Sequence, residues 1–440
     1  MSSAAQSNMI TDNTPPGARS SWPGQTLLSF RRDPLQFLQQ LSIRYGTVAS
    51  FRIGPQLLVL INEPEAIRDV LVTSQRSFKK GRGLERTKPL LGEGLLTSEG
   101  DVHLRQRRLA QPAFHQERIA GYAKRMVADA ASARDRWADG ETIDLAGEMM
   151  RLTLGIAGET LFGIDVGGET AAIRDAMAEA LRAFEIATLP FFEVFDRLPV
   201  PWMRRLKRAK ATLDTVVYRI IAERRAHGGD RGDLLSMLLG SMTDTELRDE
   251  ILTLFLAGHE TTANALTWAA YALSQAPGVD RALGEEAIAL GTLPTFDDLP
   301  RLTYTRAVVA ETLRLYPPAW IIGRRTIAEY KVGGYELPVG TLVFVSPWVT
   351  QRDPRFWGEP ERFDPDRWQK EPPPKFAYFP FGGGSRVCIG ESFAWTELTL
   401  VLATLAQRWR FELVPGHPVV PKPVVTLRPR HGMKMVVRKR

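Results

Sequence analysis

The single cysteine of this chain, Cys388, lies in Phe381-Gly-Gly-Gly-Ser-Arg-Val-Cys-Ile-Gly390, a glycine-rich loop that runs into a helix-forming segment. Glycines let a backbone approach a flat cofactor closely, a helix start and its N–H groups favour negative charge on sulfur, and Arg386 adds a cation. That chemistry suits a thiolate metal ligand. A free cysteine is just as often buried and inert, and the loop alone leaves both readings open. A second segment, Ala257-Gly-His-Glu-Thr-Thr262, sits in the middle of a long helical run. Glycine and threonine are poor helix interior, and threonine hydroxyls bond back to the preceding turn, so a bend that opens a pocket is expected there. Glu260 and Thr261 form an acid and alcohol pair able to deliver protons to a dry site; an exposed acid beside satisfied hydroxyls is the plainer alternative. His259-Glu260 is no zinc motif, since HExxH would need histidine at Ala263. Glu311-Thr-Leu-Arg314 sets acid and base one turn apart, a spacing common on solvated helices.

The elements that must position these groups are mostly helical. Residues 1–30, with ProProGly and serines, read as a flexible leader, and residues 31–440 as one domain. Asp33 as N-cap, Pro34 at the first position and Gly46 at the end bracket a helix carrying Leu35, Leu38 and Leu41, and Val48–Ile53 with Leu57–Ile61 form a hairpin. From 64 to 315 the apolar period is helical, as at 171–184, 202–225 and 243–275. Thr243 and Glu246 make a capping box and Pro277 ends that last run, about 48 Å long at 1.5 Å per residue. After Pro317-Pro318 the chain turns β-rich, with a GlyGly hairpin at 330–335, a strand at 341–346, a Pro- and Arg-rich stretch at 351–374, a last helix at 391–409 and strands at 411–414 and 424–427.

With 44% hydrophobic and 24% charged residues the 440-residue chain is globular in composition. Six of the basic residues lie in the last thirteen positions without an acid, so the formal charge of +7 reads as a basic C-terminal segment and not as a nucleic-acid face. One cysteine excludes an intramolecular disulfide and multi-cysteine metal sites. No 18-residue apolar run and no secretory signal are present, which points to a cytoplasmic protein without a membrane anchor.

The fixed positions Phe381, Gly384, Arg386, Cys388 and Gly390 fit FxxGxRxCxG, and on this pattern the chain resembles the cytochrome P450 family of haem-thiolate monooxygenases, over about residues 30 to 435. The resemblance implies the P450 fold: mainly α, a large helical part with a long central distal helix and a smaller β-rich part. It implies Cys388 as axial ligand of haem b, thiolate donation favouring O–O cleavage. Glu260 and Thr261 would relay protons and hold water and dioxygen. Glu311 and Arg314, with Arg362 in Pro360-Glu-Arg-Phe363, would form a buried structural network. His103 and Arg107, one turn apart, with Arg324 and Arg386, would bind the haem propionates, and Phe381 and Gly390 would line the cofactor. Arg105 and Arg108 suit docking of an acidic electron donor.

The resemblance places substrate contacts at Leu95, Phe184, Phe192, Leu254, Ala257, Ile321, Ile322 and Thr426. These are mostly apolar, so a hydrophobic substrate such as a terpene, fatty acid or steroid-like molecule is expected, hydroxylated at a C–H bond with O2. The chain runs only about fifty residues past Cys388. Electrons are therefore expected from a separate ferredoxin or flavodoxin and its reductase, drawing on NAD(P)H, with the enzyme a monomer. A peroxide-driven peroxygenase or an isomerase would have no need of both Glu260 and Thr261, and neither would a non-catalytic haem sensor.

Overall fold

A single helix, Asp244–Gln275, organises the computed structural model, which describes residues 14–164, 176, 179 and 201–440. Thr243 caps it: its hydroxyl accepts from Glu246 N while the Glu246 carboxylate accepts from Thr243 N, and the next helix starts at Pro277. Most of its residues are buried, because the helices Leu145–Phe162, Pro201–His227, Thr303–Leu315 and Glu391–Ala406 all pack on it. The bend expected at Gly258 does not interrupt the helix. Thr261 and Thr262 hydroxyls do bond back to Ala257 O (2.8 Å) and Gly258 O (3.2 Å), and the i→i−4 ladder carries them without a break. The helix expected at 171–184 lies outside the described residues but for 176 and 179.

The smaller part is a six-stranded sheet in the order Gly17–Ala18, Val48–Ile53, Gln56–Ile61, Leu342–Val345, Ile322–Thr326, Phe78–Lys80. The hairpin lies where its β-branched runs predict, and Leu58–Ile61 pairs in parallel with Leu342–Val345. Alternate residues bury on opposite faces: Val59, Ile61, Val343 and Val345 on one, Phe51, Leu58 and Leu60 on the other. Both faces are covered, which is why Leu57–Ile61 reads as an unbroken apolar run.

Three expectations change. Residues 15–18, within the stretch read as a leader, are tied to the sheet, since Ser50 N and Oγ donate to Pro16 O (2.7 Å) and Pro15 O (2.6 Å) and Gly17 pairs with Ser50 so closely that a β-carbon there would strike its carbonyl. Residues 424–426 are not a strand but the turn between Pro421–Pro423 and Leu427–Pro429. The basic C-terminus is no separate segment either. Lys434–Lys439 is the central strand between Trp409–Leu413 and Thr142–Asp144, with Arg438 paired to Glu412 (2.9 Å) and Arg440 to Asp280 (2.5 Å). No helix among the described residues is long and apolar enough to cross a membrane.

Candidate active site around Cys388

The cysteine loop is a tight backbone structure. Cys388 N donates to Phe381 O (3.0 Å), Gly382 N to Phe379 O (2.9 Å) and Val387 N to Gly384 O (3.1 Å), while Ser385 N and Oγ both donate to Gln75 Oε1. Gly384 has φ +70°, and a β-carbon on it would collide with Leu71 O, so this glycine is required for packing the loop on the protein as well as for any cofactor approach. Gly390 precedes the helix Glu391–Ala406, and the Phe381 ring packs 5.9 Å from Trp395.

Cys388 keeps exposed surface although the surrounding protein strongly desolvates its thiol. Burial pushes it up to about 11; the Gly390 N–H and the Arg107 guanidinium pull it down without prevailing. The cation that acts on the sulfur is Arg107 rather than Arg386. A bound metal ion would deprotonate the sulfur outright. Arg107 donates to Val387 O at 2.7 Å, next to the cysteine.

A cluster of bases lies beside the loop. His103 is buried and pushed down to about 4 by burial and by Lys80, Arg386 and Arg107. Arg324, also buried, is lowered to about 10 by burial and by Arg386. Arg386 pairs with Glu99 through one nitrogen, and its buried Nη1 has no hydrogen-bond partner among the described residues. Lys80 escapes the sequence reading: it sits at the end of a three-residue strand, pairs across to Arg324, and donates Nζ to Leu95 O (2.9 Å) and Ser98 O (2.7 Å). Its pKa falls to about 7 through burial and Arg386. Cations crowded round one acid, with a guanidinium nitrogen unmet, fit a group that brings carboxylates, as haem propionates would.

On the distal helix Ala257 is exposed although Leu252–Leu256, His259 and Glu260 are buried, so that face too looks onto open space inside the fold. Thr261 is half-buried beside it, while Glu260, 1% exposed, turns aside and accepts a hydrogen bond from the Thr426 hydroxyl at 2.6 Å. Thr426 is thus part of a polar contact and not simply a wall. Leu95 and Leu254 are buried, and Ile321 and Ile322 half-buried. The loop carrying Leu95 is clamped twice, by Lys80 and by Glu250, which accepts from Leu95 N at 3.1 Å and is raised to about 7 by burial. Phe184 and Phe192 lie outside the described residues.

Glu311 and Arg314, both fully buried, pair bidentately at 2.8 and 2.9 Å. Arg362 enters the network only through its carbonyl, which accepts from Arg314 Nη2; its side chain is 62% exposed and paired with Glu359. The second arginine is Arg367, whose Nε donates to Glu311 Oε1 at 3.0 Å, joined by Trp368 Nε1 and Asp364 N. The cause is the turn at Glu359 (φ +47°) and the 3-10 helix Pro365–Gln369, which presents 367 and 368 to the helix Thr303–Leu315. Glu397, likewise unforeseen, is wholly buried on the helix after Cys388 and raised to about 8 by burial, with the Thr262 hydroxyl opposing.

The family profile described as "Cytochrome P450" matches residues 15–435. Among curated relatives, "Cyclooctatin synthase" of Streptomyces melanosporofaciens is 40% identical, covering 92% of this chain and 91% of its own length. "Cyclooctat-9-en-7-ol 5-monooxygenase" of the same organism is 38% identical (94% and 93%), and "Pentalenene oxygenase" of Streptomyces avermitilis 37% identical (90% and 91%).

Proposed function

The chain belongs to the cytochrome P450 family and is one of its monooxygenases, and from this premise we propose that it hydroxylates a terpene at a haem held by Cys388. The observation that carries the assignment of the site is the meeting of Cys388, exposed yet desolvated by its surroundings, with the basic cluster of Lys80, Arg107, Arg324 and Arg386. Cys388 Sγ would ligate the iron of haem b, and Arg324, Arg386, Lys80 and neutral His103 would hold the propionates. When bound, the haem supplies reductive activation of dioxygen and oxidation of the C–H bond.

The chain's own work is positioning, dryness and protons. Ala257 lacks the bulk to fill the distal face, and Leu95, Ile321 and Ile322 present hydrocarbon that excludes water. Nothing among these side chains offers a charged anchor, which suits a terpene better than a fatty acid. Thr261 offers its hydroxyl to water and dioxygen, and Glu260 is the buried acid that replenishes protons. Exposed Val102, Leu104, Arg105 and Arg108 on the helix Gly100–Ala110 would receive an acidic ferredoxin or flavodoxin, itself reduced with NAD(P)H in the cytoplasm.

The test is the absorption spectrum of the dithionite-reduced, carbon monoxide-bound protein. The wild type should show the strongly red-shifted Soret band of thiolate ligation, and Cys388→Ala should lose it; a histidine-like band in folded wild type overturns the assignment. Terpenes should then shift the iron spin state where fatty acids of similar size do not.

A further inference from the structure

Glu260 reaches out of the distal helix to a turn 166 residues later in the chain. There the Thr426 hydroxyl donates to Glu260 Oε1 at 2.6 Å and accepts from Asn264 Nδ2 at 3.1 Å. Glu260 and Asn264 are one helical turn apart, so both fall on the face that meets Thr426, and all three are buried. The amide can only donate through Nδ2, so the hydroxyl proton is directed at the carboxylate. Arg428, with a side chain 26% exposed, approaches Glu260 Oε1 to 4.0 Å.

The turn itself cannot drift. Trp268 Nε1 donates to Leu427 O, Leu427 N to Pro318 O and Trp320 Nε1 to Val424 O, each at 3.0 Å, and Val424 N bonds to Thr426 O at 3.2 Å. Two of these anchors are indoles from separate elements, one of them the distal helix. A buried hydroxyl pinned this firmly against the relay acid helps set where that acid rests.

Resting on the reading above that Glu260 replenishes protons, we propose that Thr426, oriented by Asn264, is a positioning residue that holds Glu260 toward the Arg428 side of the molecule, where it takes up its proton. The proton comes from water beside the exposed end of Arg428 and leaves from the Glu260 carboxyl toward Thr261. The carboxylate left behind is drawn back by the Thr426 O–H and the Arg428 charge. One proton enters for each one delivered, and Thr426 and Arg428 are unchanged.

The test needs no native substrate. Holoenzyme in air, supplied with NADPH through a ferredoxin and its reductase, reduces O2 to hydrogen peroxide with two electrons and two protons, or to two waters with four of each. Efficient proton delivery favours water. Thr426→Val should raise the peroxide-to-water ratio by about tenfold, a fraction of what loss of a general acid costs; Thr426→Ser should restore the wild-type ratio, and Glu260→Gln should raise it at least as far as Thr426→Val. The unfolding midpoints of Thr426→Val, Glu260→Gln and their double variant should be non-additive, as for partners in one hydrogen bond. A wild-type ratio in Thr426→Val with a raised ratio in Glu260→Gln overturns the positioning role alone. Unchanged ratios in both overturn the relay reading beneath it, and additive midpoints deny the contact. If Thr426→Val does not hold haem, Asn264→Leu takes its place and should raise the ratio by a smaller factor, an unchanged ratio counting against the proposal.

Discussion

Two buried glutamates on neighbouring helices are held in opposite ways. Glu311 accepts from the backbone of Asp364, the indole of Trp368 and the guanidinium groups of Arg314 and Arg367, donors fixed by the elements that carry them. Glu260 leans on a rotatable hydroxyl, with a guanidinium at 4.0 Å. The first arrangement saturates a carboxylate and makes it part of the scaffold. The second includes a partner that can itself turn, an arrangement suited to passing a proton. Burial alone does not separate a structural acid from a working one; the stiffness of its partners does.

The sharpest way to break the comparison is at the scaffold end. Arg314→Ala strands Glu311 without its bidentate partner and should cost about 3–5 kcal/mol, seen as loss of haem incorporation and a collapsed urea midpoint; an ordinary holoprotein yield would refute the structural role. Next comes the choice between two arginines. Arg367→Ala should lower unfolding stability by about 1–3 kcal/mol, whereas Arg362→Ala should stay within about 0.5 kcal/mol, because only its carbonyl belongs to the network; equal losses would restore Arg362 to it.

Per pH unit, the smallest effect is a slope. Glu397 carries a folded pKa of about 8 against an ordinary 4.5, so the native state keeps a proton that the unfolded chain releases. Its contribution to stability is largest below the ordinary value, falls as pH rises through the window from about 4.5 to 8, by at most about 1.4 kcal/mol per pH unit, and is flat above. Glu397→Gln should remove that slope in urea titrations at several pH values, and a slope kept in the variant would assign it elsewhere.

What was legible in the sequence is what local rules write. The capping box at Thr243, the proline and glycine that bound Pro34–Tyr45, and the β-rich runs Val48–Ile53 and Leu57–Ile61 on either side of Gly54 and Pro55 all depend on residues a few positions apart. The cysteine loop was readable for the same reason. Arg362 and Arg367 could not be told apart, because which side chain faces inward depends on the turn at Glu359. Lys80 was invisible since only its distant strand partner, Arg324, and the carbonyls of Leu95 and Ser98 reveal it. Thr426 was read as a pocket wall, its partners Glu260 and Asn264 lying more than a hundred residues away.

The register of the mixed sheet has a consequence for synthesis. Leu58–Ile61 must pair with Leu342–Val345, about 280 residues later. At roughly 5–20 residues per second on the ribosome, the strand Gln56–Ile61, apolar on both faces, waits on the order of tens of seconds for its neighbour. During that interval it is an open, sticky edge. The nascent protein thus has a predictable window of aggregation, in which chaperone supply rather than final stability governs yield.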